Sequence, residues 1–414
     1  MILLLAWMAS ACPKQVRCLQ VPVHTRMGEI PLDVQVWFPE YEKKTEPLYF
    51  VVGGPGQSGV EVAGYIAPLL RSLNRSVVFF SPLGTQSNDW FPCDTQTPTL
   101  SALFDDVTTS RACLPNKGFL VDELGSMHVA RHLHTIRETL GHEKMILLGS
   151  SYGTRVAQLY VQEYPSTVHQ LILDSGIPLD AYIGVSSFAE DVLNERLGEA
   201  GKKSIDTIVQ SLPARIQTYD PSLREVVWIS IDKDDFFLIL HRWVYQASDQ
   251  ERLNTILKQV VKGDWEGFLQ IAKEALLDNY SLGTYLSVFC QEDLDGLCTK
   301  EANARFPFCA HMSKQCAIWP KPSQSSSWTL KEWDIPTLIV HGRFDHVSPP
   351  AYAKRIEQQA SQSTRVEFLS EAHGVSLTKC ARDVIRTFTS QKKIDANQLS
   401  CENKVRIESR TITD

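Results

Sequence analysis

Short, nearly unbroken apolar runs recur along this chain, and the stretches between them carry apolar residues at helical spacing. LYFVV (48–52), SVVFF (76–80), MILL (145–148), QLILD (170–174) and IPTLIVHG (335–342) have the composition of strands buried on both faces. Val129, Leu133, Ile136 and Leu140 share one side of a helix predicted over 126–140, with Gly141 placed to end it. Val156, Leu159 and Tyr160 share one side of another, and a third is predicted from Tyr352 to Gln359, ahead of the strand RVEFL (365–369). Earlier, VPVHTRMGEIPLDVQVWFPE alternates at Val34, Val36 and Phe38, as an antiparallel edge strand does. Strands alternating with helices predict a mostly parallel central sheet with helices on both faces.

Between Ala181 and Trp333 the pattern changes. Helical stretches (Phe188–Glu199, Phe236–Ala247, Gln250–Lys262, Trp265–Asp278) follow one another with little that reads as strand. So long a block is not a loop; a Ser-rich patch, Pro322–Ser327, marks its exit. The expected organisation is a sheet domain from residues 19–180 plus 335–414, and a mainly helical cap from 181–334.

Composition narrows the classes. A chain of 414 residues, 43% hydrophobic and 21% charged, suits a globular protein with a sizeable core. Its net charge of −7, with no Lys/Arg run, argues against nucleic acid or an anionic membrane surface as partner. Residues 1–12, MILLLAWMASAC, are too short an apolar run for a membrane span and end in small residues, as a secretory signal does. Ala9-Ser10-Ala11 before Cys12 also resembles a lipoprotein processing site, which would make Cys12 a candidate lipid anchor. The missing Lys or Arg ahead of the run, and Ala9 where leucine is usual, depart from that pattern. Either reading gives an exported protein, periplasmic or extracellular. The ten cysteines agree, with Cys93 near Cys113, Cys290 near Cys316 and Cys380 near Cys401. No CxxC occurs and histidines do not cluster beside the cysteines, so no metal and no cofactor is expected.

Candidate chemistry centres on KMILLGSSYGTRVAQLYVQEYP (144–165). An apolar strand breaks at Gly149-Ser150-Ser151-Tyr152-Gly153 and turns helical, the setting in which G-x-S-x-G presents a serine at the tip of a sharp turn. Ser151 fits the register; Ser150 falls on the variable position. A serine hydroxyl needs a base, and the base an orienting acid. Sheets of this kind order them Ser, acid, His. Asp345 follows IPTLIVHG and His373 follows RVEFL, at the two places required. Asp174 ends a strand too early and is read as holding a turn. His346 points elsewhere, His341 is read as a satisfied core histidine of its strand, and His128, His132 and His134 belong to a helix. The oxyanion donors are assigned to the backbone N–H groups of Tyr152 and of Gly54, within the loop Gly53-Gly54-Pro55-Gly56-Gln57-Ser58-Gly59.

Together GGPGQSG, LLGSSYGT, YPSTVHQLILDSG, PTLIVHGRFDHVSPP and AHG resemble the proline iminopeptidase and tripeptidyl aminopeptidase family of α/β-hydrolase serine peptidases. In the inserted block, SVFCQED (287–293) and CAIWP (316–320) resemble its secreted tripeptidyl aminopeptidase-like branch, as do Cys380 and Cys401. The resemblance implies an α/β-hydrolase fold with a helical cap. It also implies a serine exopeptidase that removes N-terminal residues from peptides, with Ser151, His373 and Asp345 as its triad. One departure stands out: the family's Asp-x-Arg-Gly-Thr-Gly-x-Ser loop is here Ser81-Pro82-Leu83-Gly84-Thr85-Gln86-Ser87, without the Asp and Arg of its internal salt bridge.

Glu292 and Asp293 lie beside an apolar run expected to face the pocket. A carboxylate buried there unpaired would be costly, and a protonated peptide amine would offset that cost. Both are therefore candidates for binding the substrate's amine, Glu292 ahead; the alternative is that they cap a helix or form a surface ion pair. The competing functions are an esterase or lipase on the same triad under an apolar lid, and a catalytically dead binding protein.

Overall fold

The structure, a computed structural model, describes residues 12–39, 45–85, 91, 99–100, 106–114, 121–183, 186–243, 250–275, 280–294, 296, 298, 308–320, 328–329, 331–390, 394, 399, 401 and 404–411. The Ser-rich patch 322–327, residues 1–11, Cys93 and the tail of the altered loop (86–87) lie outside them.

Its strands are β1 (Val16–Thr25), β2 (Gly28–Trp37), β3 (Leu48–Val51), β4 (Val77–Phe80), β5 (Met145–Ser150), β6 (Val168–Asp174), β7 (Ala214–Asp220), β8 (Glu225–Ile231), β9 (Thr337–Gly342), β10 (Gln362–Phe368) and β11 (Val405–Thr411). Nine form one sheet in the order β1-β2-β4-β3-β5-β6-β9-β10-β11. The run from β4 to β10 is parallel, while β1, β2 and β11 pair antiparallel at the two edges.

The helices ahead of β6 are α1 (Gly59–Leu70), α2 (Asp106–Ala112), α3 (Ser126–Thr139) and α4 (Tyr152–Glu163). Alternation along β5 separates the two faces. Met145 and Leu147 join Val129, Leu133 and Ile136 of α3 and Val156 of α4 in one core, whereas Ile146 and Leu148 join Ala63 and Ala67 of α1 in the other. Each of the Met, Leu, Ile and Val side chains contributes about 1.5–3 kcal/mol by leaving water. Gly141 ends α3 at φ 71°, as its sequence position anticipated.

Between β6 and β9 lie α5 (Ser186–Gln210), the separate hairpin β7–β8, then α6 (Lys233–Trp243), α7 (Gln250–Val261), α8 (Glu266–Ala275), α9 (Leu282–Glu292) and α10 (Phe308–Ile318). The block is thus not purely helical. The hairpin escaped notice because its buried side mixes Ile229 and Ile231 with Thr218 and Asp220, which blurs the alternation. Nor is the block one body. Leu197, Phe236, Leu257 and Phe268 form their own cluster, while Leu286 and Phe289 of α9 and Met312 of α10 belong to the sheet's core. After β9 come α11 (Pro350–Glu357), β10, α12 (Lys379–Thr389), whose Val384 and Ile385 join Ile146 and Leu148, and β11.

Candidate active site

The turn between β5 and α4 is forced into shape by what surrounds it. A Cβ on Gly149 would lie 2.4 Å from the Gly153 carbonyl oxygen, and one on Gly153 would lie 2.2 Å from that of Val51. Side chains at either position would push α4 off the strands. Ser151 takes φ 54° and ψ −124°, a conformation that costs a non-glycine residue about 1–3 kcal/mol. Its neighbours hold it there: the Ser151 N–H donates to the Asp174 carbonyl at 2.9 Å, and the Thr154 hydroxyl donates to the Ser151 carbonyl at 2.6 Å.

Ser151 Oγ lies 2.8 Å from His373 Nε2, and His373 Nδ1 lies 2.9 Å from Asp345 Oδ2 and 3.0 Å from Oδ1. Residues 151, 345 and 373 thus meet in one line at the ends of β5, β9 and β10. Asp345 also accepts the backbone N–H groups of Val347 and Ser348 at 3.0 and 2.8 Å, and the Ser348 hydroxyl at 2.8 Å. Burial pushes the Asp345 carboxyl up, but His373 and the Ser348 donors win and hold it down at about 2. For His373, burial disfavours the proton, and the neighbouring Asp345 and Asp174 carboxylates overcome this, so its pKa is raised. An imidazole so placed can take the Ser151 proton while the fixed negative charge behind it offsets the one it gains.

Asp174 holds a turn, as read from its position, and the turn is the one that carries His373. Its carboxylate accepts the N–H groups of Val375 and Ser376 at 2.9 and 3.0 Å. His346 faces away, buried with its Nε2 3.0 Å from the His241 carbonyl. His341 is buried within β9 but is not satisfied as expected, since neither ring nitrogen has a hydrogen-bond partner among the described residues, and burial pushes its pKa down to about 4. Burial does the same to His132 on α3, while His134 stacks on Tyr164 at 3.6 Å.

The glycine-rich loop after β3 comes against the elbow: a Cβ on Gly53 would lie 3.0 Å from that of Ser151. Gly54, at φ 105°, follows directly, and Tyr152 opens α4. The departing loop 81–85 needs no salt bridge. Thr85 Oγ1 donates to the Pro82 carbonyl at 2.7 Å, and Ser58 and Ser81 hydroxyls pair at 2.7 Å.

Glu292 and Asp293 are placed differently from the expectation, because neither is unpaired. Arg155 donates to both oxygens of Asp293 at 2.7 and 2.8 Å, and the Ile183 N–H reaches Oδ1 at 2.9 Å. Glu292 Oε1 accepts the Ser126 N–H at 2.6 Å, so this carboxylate caps α3, and Arg155 lies 3.3 Å from its Oε2. With their oxygens taken by the chain's own donors, the argument for binding a substrate amine fails for both, and that assignment is withdrawn. Sequence reading missed Arg155. The signal was present: an arginine one position before Val156, on the buried side of the elbow helix, requires carboxylate partners.

Four disulfides join described cysteines: Cys12–Cys18, Cys290–Cys316, Cys298–Cys309 and Cys380–Cys401. The expected pairing of Cys93 with Cys113 falls outside the described residues. The sulfur of Cys12, the candidate lipid anchor, is bonded to that of Cys18. Among the described residues no helix is long and apolar enough to cross a membrane.

A model of the α/β-hydrolase fold matches residues 46–379, most of the chain, which therefore belongs to the α/β-hydrolase fold family. The chain is 29% identical over 386 residues to the serine protease Hip1 of Mycobacterium tuberculosis, covering 78% of this chain and 74% of that one. It is 23% identical over 419 aligned positions to a tripeptidyl aminopeptidase of Streptomyces lividans, covering 86% and 76%. Among solved structures, a proline iminopeptidase of Mycobacterium smegmatis aligns with a TM-score of 0.48 and 16% identity, covering 91% of this chain and 98% of that one.

Proposed function

We propose that the protein is an exported serine peptidase that cleaves peptide bonds near the free N-terminus of its substrates. Ser151 is the nucleophile, His373 the general base and acid, and Asp345 the orienting acid. The observation that carries this reading is the line Ser151–His373–Asp345, with contacts of 2.8 and 2.9 Å.

His373 Nε2 takes the Ser151 proton as Oγ bonds to the carbonyl carbon. The Tyr152 and Gly54 N–H groups receive the oxyanion. The proton then passes from Nε2 to the leaving nitrogen as the C–N bond breaks, leaving an acyl-enzyme. Water, deprotonated by the same imidazole, releases the acid. Asp345 keeps the other proton on Nδ1 throughout. The peptide as substrate class is supported by the serine protease and aminopeptidase named among the relatives. The four disulfides support export. The cluster of α5 to α8 serves as the cap: its Glu195 meets Arg343, two residues before Asp345, at 2.6 Å.

A carboxylic-ester hydrolase is the second reading, favoured by the internal pairing of Glu292 and Asp293, which leaves the substrate's amine without its expected partner. Turnover of unblocked peptidyl anilides, their N-acetylated forms and short acyl esters separates the two. The peptidase reading expects acetylation to lower kcat/KM by about tenfold or more, equivalent to one good polar contact. Unchanged turnover after acetylation, with faster ester hydrolysis, would replace it by the esterase.

A further inference from the structure

The helix α9 contacts, near both of its ends, the loops and helices around the reacting site. The N–H of Ser281, its N-cap, donates to the Gly56 carbonyl in the glycine-rich loop at 2.8 Å, and Thr284 Oγ1 donates to the Gly84 carbonyl at 2.8 Å. At its far end Glu292 Oε2 lies 2.5 Å from Ser126 Oγ, which lies 3.0 Å from the Tyr152 hydroxyl. Glu292, Ser126 and Tyr152 are all buried. Tyr152 is therefore held at its side chain by α9, at the residue that opens α4 directly after Ser151.

We infer that Glu292 is a positioning residue for the oxyanion half of the site: through Ser126 it fixes the Tyr152 side chain, and with it the N–H of the same residue. The inference rests on the proposed function. Ser126 has one hydroxyl proton to give. An ionised Glu292 only accepts, so Ser126 donates to it and the Tyr152 hydroxyl donates to Ser126. A protonated Glu292 donates to Ser126, which then turns its own proton to Tyr152, and the chain of bonds reverses. The groups facing Glu292 are Arg155 and Tyr152 from α4, Ser126 from α3 and Asp293 beside it, so two carboxylates share one guanidinium. Burial pushes the Glu292 carboxyl up to about 7, with Asp293 adding to it and Arg155 and Ser126 opposing. The reversal accordingly falls within the working range of a histidine base.

The test uses the full chain carrying Glu292→Gln or Tyr152→Phe. It reads kcat, KM, affinity for a peptidyl boronic acid that mimics the tetrahedral intermediate, and the thermal midpoint. Misaiming one oxyanion donor, rather than deleting it, is expected to lower kcat about 10- to 100-fold. KM should stay within about twofold, with boronate affinity falling alongside kcat. The acid limb of log(kcat/KM) should relax from a slope of about 2 to about 1, because one of two titrating groups is gone. Tyr152→Phe should act in the same direction and add nothing to Glu292→Gln. A Glu292→Gln enzyme with unchanged kcat, slope and boronate affinity overturns the inference, as does a loss that only follows the fraction of folded enzyme. If Glu292→Gln does not fold, Tyr152→Phe decides: full kcat there refutes the inference. Failure of a fluorophosphonate to label Ser151 in the unsubstituted protein would instead remove the parent reading.

Discussion

The Asp174 carboxylate accepts the backbone N–H of Val375 at 2.9 Å, two residues beyond the imidazole that faces Ser151. Its second oxygen takes the Ser376 N–H at 3.0 Å, and neighbouring Ser175 takes the Gly374 N–H at 2.8 Å. The Asp174 carbonyl meanwhile receives the Ser151 N–H at 2.9 Å. One buried residue at the end of β6 thus locates the hydroxyl through its backbone and the imidazole through its side chain.

Replacing Asp174 with alanine should therefore act on activity without touching substrate. Two buried N–H groups lose their acceptor, at about 1–3 kcal/mol each. A displacement of His373 by about 1 Å should cost about 10²-fold in kcat/KM. Asp174→Asn, which keeps the shape and one acceptor oxygen, should fall between. Steady-state kinetics beside urea denaturation checks this, and a folded Asp174→Ala enzyme with full kcat/KM would show that the loop holds itself.

Ser151→Ala should leave the fold intact, since the hydroxyl's strongest contact is to an imidazole that Asp345 holds independently. The rate should fall on the order of 10⁶-fold, as for other serine nucleophiles. Fluorophosphonate labelling followed by peptide mass mapping would contradict the assignment if the label stayed on the substituted protein.

Much of this arrangement was legible from sequence, for a physical reason. The strands of the parallel region are apolar on both sides, so β3, β4, β5 and β9 stand out as unbroken runs. The spacing that placed Asp345 after β9 and His373 after β10 followed directly. The edges were less readable: β11 has no fully buried residue among its described side chains, and β1 buries only Val21 and Val23 in its ten residues. Pairing in the inserted block depended on contacts remote in sequence. Arg155 and Asp293 lie 138 positions apart, and nothing local announces that one neutralises the other. Glu292 was read as unpaired for a like reason, its partner Ser126 lying 166 positions away at the start of α3.

Acid should affect activity and stability through different members of the site. His373 has a raised pKa, so as a base it is lost when pH falls below a midpoint lying above its ordinary 6.5. For stability the sign reverses: its tighter folded-state proton contributes fully below 6.5 and is lost as pH rises through the raised value. Asp345, held at about 2, contributes stability above its ordinary 3.8 that disappears as pH falls toward 2. Asp345→Asn removes the main cause of the His373 shift, so the acid limb should move to lower pH while kcat drops about 10⁴-fold. A pH–rate profile from 5 to 9 (a range of about four units around the histidine) reads both, and an unmoved limb in Asp345→Asn would assign it to another group.

Two of the disulfides should prove separable in effect. Cys380–Cys401 spans 21 positions, with Cys380 in α12 and Cys401 just ahead of edge strand β11. Cys290–Cys316 spans 26 and ties α9 to α10. Loop closure of this size contributes about 3 kcal/mol in either case, so replacing each pair by serines should lower stability comparably. Their kinetics should differ. The first pair sits behind the sheet's outer edge and should leave kcat within about twofold, the scatter expected of remote sites. The second holds the helix that reaches Gly56, Ser126 and Arg155, so its loss should lower kcat as well. Urea denaturation and steady-state kinetics on the two double-serine variants decide, and equal kcat losses from both would mean that α9 keeps its place without its staple.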